Sequence, residues 1–163
     1  MAELTNLESK LGEVLGLAMA AQGATKKVKK LPDLDDELAQ ALERMHDEAK
    51  DAERRATEVA AQFEGKKTAI LREAREVKQK ATEMMEDYLD RAADALDGFE
   101  FLTMAEAGEV GHWEILRTLN ERARVAGVGE LVEWGIPIQQ RHFEEARRGS
   151  LQLAAEEDPN DAA

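Results

Sequence analysis

Between Asp35 and Glu64 apolar side chains return every three or four residues, at Leu38, Leu42, Met45, Ala49, Ala52, Ala56, Val59 and Phe63. An α-helix puts such a series on one side, because its 3.6-residue turn stacks positions i, i+3, i+4 and i+7. A helix of that length with one apolar face must bury it against other elements. The rest of the chain repeats the pattern. The first helix spans about Thr5 to Ala24, with Leu7, Leu11, Val14, Leu15 and Ala18 on its stripe. Thr5 is its N-cap, and Glu8 completes a capping box. Gly65 ends the second helix, and a third follows from about Lys66 to Asp97 through Ile70, Ala74, Val77, Ala81 and Met85. A turn over Asp97–Phe101 leads into a fourth, which ends near Ala126–Gly127. The fifth opens at Gly129–Glu130 and runs to about Glu156, with Pro137 expected to kink it or start it anew.

The chain therefore reads as all-α, an antiparallel bundle of about five helices. Little of it alternates Val, Ile, Thr and Tyr as strands do. Its 163 residues suit one domain over 1–156, with a frayed acidic tail over 157–163. Thirty-five acidic residues against 22 basic ones give a net charge of −13, which repels phosphate backbones and argues against nucleic-acid binding. The basic run Lys26–Lys30 reads as a solvated connection. Without cysteine there is no disulfide framework, thiolate metal site or Cys nucleophile. The N-terminal MAELTNLESK lacks the apolar core of a signal peptide, and no segment approaches the roughly 20 apolar residues of a membrane span. A cytoplasmic protein with no membrane partner is expected. No Gly-rich phosphate loop is present, and Ser9 and Ser150 have no triad context.

The fourth helix breaks the apolar rule. Leu102, Ala105, Glu109, His112, Leu116, Leu119 and Ala123 share a face, so a carboxylate and an imidazole stand at core positions. Burying either without a partner costs several kcal/mol. Two related pairs occur elsewhere, Glu43-x-x-His46 and Gln139-x-x-His142. Reflecting positions through the short connections of an antiparallel bundle brings all three histidines to one level. The same reflection makes Glu13 the contribution of the first helix, with Glu8 behind it. Two explanations stay open, metal ligation and hydrogen-bonded core pairs.

Glu-x-x-His on alternate helices of a bundle, with lone carboxylates on the others, resembles the ligand plan of the ferritin-like superfamily. The segment VGHWEILRTLNERARVAGVGELVEWGIPIQQRHFEEA is similar to the final hairpin of the uncharacterised YciE/YciF-type stress proteins, and ELAQALERMHDEAKDAERR to their second helix. The resemblance implies a four-helix core made by helices one, two, four and five, with the third as a long return. It implies metal ligation by Glu13, Glu43, His46, Glu109, His112 and His142, with iron as the metal and manganese or zinc as alternatives. A stress- or oxidant-related role follows from it. Gly111 stands where the family motif carries Glu, and Gln139 where a carboxylate is expected, so a degenerate mono-metal site is a second form of this reading. The other reading is a metal-free structural bundle acting as a homodimer, higher homo-oligomer or partner-binding protein through the charged third helix.

Overall fold

The computed structural model describes residues 2–163, which form five helices: α1 (Asn6–Val28), α2 (Asp36–Ala60), α3 (Lys67–Tyr88), α4 (Ala95–Ala123) and α5 (Ala126–Glu156). Among the described residues there is no strand, and no helix is long and apolar enough to cross a membrane. Helix starts fall where side chains can take up the free amides of a first turn. Thr5 accepts from the Glu8 amide while Glu8 accepts from the Thr5 amide, at 3.2 and 2.8 Å. Asp35 accepts from the Leu38 amide at 2.8 Å.

Helix boundaries differ from the expectation at several connections. Helix α1 runs on to Val28, so Lys26 and Lys27 of the basic run form its last turn rather than a connection, and α2 stops at Ala60, before Gly65. Asp94 and Asp97 form a reciprocal capping box, 3.0 Å each way, so α4 starts at Ala95 and the expected turn over Asp97–Phe101 is helical. The third helix correspondingly ends at Tyr88, and Asp90 accepts from the Ala92 amide inside the connection. At the far end of α4, Arg124 takes a left-handed conformation (φ 55°). The Asn120 amide group bonds both the amide and the carbonyl of Val125, at 3.0 and 3.2 Å. That clamp reverses the chain within a tight turn, so α5 opens at Ala126 rather than at Gly129. The helix continues through Pro137, whose missing N–H leaves the Glu133 carbonyl to solvent; both residues are exposed.

Helices α1, α2, α5 and α4 close a ring in which each touches the next. Side-chain pairs give the directions. Gln22 with Glu53 and Lys29 with Glu43 make α1 and α2 antiparallel. Glu48 with Arg141 and Asp35 with Gln152 do the same for α2 and α5. Gly135 lies under Trp113 and Gly149 under Phe99, which sets α5 antiparallel to α4. Lys10 beside His112 and Gly98 beside Val28 set α4 antiparallel to α1. Helix α3 stands outside the ring against α1 and carries the chain back, so that α2 and α4 run parallel. A methyl group at Gly16 would overlap the Ala74 carbonyl of α3, so this glycine sets how closely the two backbones meet.

The interior consists of two apolar clusters. One gathers Leu11, Val14, Leu15, Ile70, Trp113, Leu116 and Val132, and the other Val28, Leu42, Met45, Leu89, Phe99, Leu102 and Leu153. Between Leu102 and Trp113 on α4 the buried residues are Glu106 and Glu109, and between Ile136 and Ala146 on α5 they are Gln139 and His142. A polar layer thus divides the core.

Candidate functional site

The polar layer is built by helical register. On α4 the buried positions are Phe99, Leu102, Glu106, Glu109, Trp113 and Leu116, a three-four alternation that faces the ring interior. On α5, Ile136, Gln139, His142 and Ala146 follow the same rule. The Gln139 side-chain amide donates to Glu106 Oε2 at 2.5 Å, a buried pair. His142, 3% exposed, stands with Nδ1 3.8 Å from Glu106 Oε2 and Nε2 3.5 Å from Glu48 Oε1 of α2. Its Nε2 has no hydrogen-bond partner, and neither has Oε2 of Glu145 one turn further along α5. A void of about 10 Å³ lies among Ala18, Glu48, Glu109, Gln139 and His142, close to the space of one water molecule or ion.

Electrostatics follow from the burial. Removal from water pushes the Glu106 carboxyl up to about 7; the Gln139 hydrogen bond opposes this and the charge of Glu145 adds to it. Burial, with Glu106 beside it, raises Glu109 well above the usual carboxylate range. His142 is lowered, chiefly by burial, with the Glu48 charge opposing. The layer therefore favours uncharged acids and a neutral imidazole, and the cations near it sit at its edge: Arg141 on Glu48 and Arg44 3.6 Å from Glu145. Carboxyl and imidazole donors packed this way have two uses, hydrogen bonds that pin the register of the helices, or neutralisation by a bound cation.

The residues singled out in the sequence do not converge. Glu109 and His142 lie in the polar layer. Glu13 and His112 form a separate group at the α1–α4 seam, with Glu13 Oε2 3.1 Å from His112 Nδ1 and Lys10 Nζ 2.5 and 3.2 Å from those two atoms. His112 is lowered, by burial first and by the Lys10 charge. His46 sits at the α1–α2 seam, its Nδ1 3.1 Å from the Gln22 carbonyl and 3.4 Å from Thr25 Oγ1. Counted along α1, His112 and His46 are roughly 18 Å apart at 1.5 Å per residue. Glu43 is exposed and ion-paired with Lys29 at 2.6 Å, which holds its carboxyl below the ordinary range. The cause is register: α2 turns Leu38, Leu42, Met45, Ala49 and Ala52 inward, which leaves Glu43 and His46 off the buried face. Sequence reasoning passed over Glu48, Glu106 and Glu145. Glu106 was within reach, because Phe99, Leu102, Trp113 and Leu116 extend into a stripe through 106 and 109 as regular as the one through 105 and 112.

Fold and site together define a class: an all-helical bundle whose core is crossed by a layer of carboxyl, amide and imidazole groups. Among the described residues no three His, Asp or Glu side chains stand in a ready-made ligand constellation. Comparison with family models, curated proteins and solved structures returned no match.

Proposed function

We propose that this chain is a ferritin-like bundle whose polar layer binds a divalent transition metal, iron first and manganese or zinc as alternatives, in a stress- or oxidant-related role. The observation that carries the reading is the void among Glu48, Glu109, Gln139 and His142, onto which an orphaned imidazole nitrogen and a buried carboxyl border. An N/O donor set of this kind suits first-row divalent metals. Glu109, Glu48 and His142 border the void and would have to draw together to hold the ion, with Glu106 and Gln139 beside them, in place of the sequence-derived set that included Glu13, Glu43, His46 and His112. Bound iron would supply one-electron redox chemistry. Of the chain's own residues, Gln139 orients Glu106 through its side-chain amide. The four-helix ring with α3 as an outer return supports the kinship.

The test is anaerobic titration of metal-free protein with Fe(II), Mn(II) and Zn(II), followed by desalting and elemental analysis. Stoichiometric retention by the wild type, lost in Glu109→Gln and His142→Ala but kept in Glu43→Gln and His46→Ala, supports the proposal. A wild type that retains none of the three removes it.

A second reading, an interaction bundle that assembles as a homodimer or larger homo-oligomer, is favoured by one observation. Met84 and Tyr88 on α3 and Met104 on α4 are large apolar side chains left exposed, at 63%, 45% and 52%. Sedimentation velocity over a hundredfold concentration range tests it, and a concentration-independent monomer removes it.

A further inference from the structure

Helices α3 and α4 both flank α1 but hardly pack against each other, leaving a cavity of about 250 Å³ lined by all three. Small side chains leave it unfilled: Ala20, Ala21 and Ala24 on α1, Ala81 on α3, and Ala105 and Gly108 on α4. Met84, Met104 and Phe101 make its apolar sides. Its polar end is Glu106, Glu109 and His112. Glu109 is 6% exposed, and its side chain lines this space at the polar end.

We propose that this cavity binds a small apolar primary amine, a straight alkyl or arylalkyl ammonium, with its tail between α1, α3 and α4 and its head on Glu109. Size and hydrogen-bonding capacity make the choice. An apolar cavity of roughly 150 Å³ accommodates benzene, so this one takes a chain of about six to eight carbons. The lining contains carboxyls and an imidazole but neither lysine nor arginine, with Lys10 Nζ 3.2 Å from His112 Nδ1 at its edge. An anionic head would add a further acid to that end, whereas an ammonium donates hydrogen bonds to carboxyl oxygens, charged or not. The inference goes beyond the metal reading and does not require it.

The experiment is calorimetric titration of metal-free protein with n-hexylamine, n-hexanol and hexanoate in parallel. Saturable binding of hexylamine, at least tenfold tighter than either analogue, is expected. Glu109→Gln should reduce the amine to the level of the alcohol. Gly108→Leu should weaken all three ligands, since a side chain there meets open space and folding is not strained. Equal affinity for amine and alcohol, unchanged amine binding in Glu109→Gln, or binding undiminished in Gly108→Leu each overturns the proposal. So does a stable dimer in sedimentation that hexylamine leaves intact, which would make the cavity part of an interface between copies of this chain. Because no metal is present, failure here leaves the metal titration unaffected.

Discussion

Replacing Glu106 by glutamine should change how stability responds to pH. Burial raises this carboxyl from 4.5 to about 7, which at 1.36 kcal/mol per pH unit is worth about 3 kcal/mol. Between those values the folded chain holds a proton that the unfolded chain has released. The stabilisation is therefore complete below pH 4.5 and is lost as pH rises through 7. Glutamine has nearly the shape of the protonated acid, and its carbonyl can accept the same bond from the Gln139 amide, but it does not titrate. Urea unfolding of both proteins by circular dichroism from pH 4.5 to 8.5 makes the comparison. Glu106→Gln should match the wild type within about 1 kcal/mol at pH 4.5 and exceed it by about 3 kcal/mol at pH 8.5. Parallel stability curves over the whole range would refute the reasoning, because they would mean that Glu106 titrates normally in the folded state.

The remaining expectations follow from the same geometry. His142 works in the opposite direction to Glu106: its lowered folded value stabilises above pH 6.5 and is lost as pH falls, so His142→Gln should flatten the acid limb of the wild-type curve. Gly16→Leu forces α3 away from α1 at the Ala74 carbonyl and should cost about 1–3 kcal/mol in urea unfolding, while leucine at Gly23, which meets open space, should not destabilise. Asp94→Ala removes the cap of α4 and should cost about 1 kcal/mol, with amide exchange quickening over Ala95–Gly98.

Local chemistry was legible from residue order alone. Helical periodicity announced five helices, and the Thr5–Glu8 box placed the start of α1, because both depend on neighbours within one or two turns. The α3–α4 boundary was misplaced because no glycine or proline marks it. Asp90 and Asp94 do, and an Asp reads equally well as a residue of a charged helix face until the chain bends there.

The candidate site depended on more than periodicity. A stripe of three-four steps can be drawn through 105 and 112 or through 106 and 113, and both are regular. Which of the two faces the interior is decided by what leans against α4: α5 covers Trp113 and Phe99 through Gly135 and Gly149, while α1 meets His112 with Lys10 and Glu13. Alternating helices, acidic balance and unusual polar residues in an apolar pattern were thus determined by the sequence. The rotation of each helix about its own axis was settled only by packing among all of them, and with it which carboxyls lose their water. A change of about 100° per residue moves a side chain from solvent to core, and no single helix contains the information to choose.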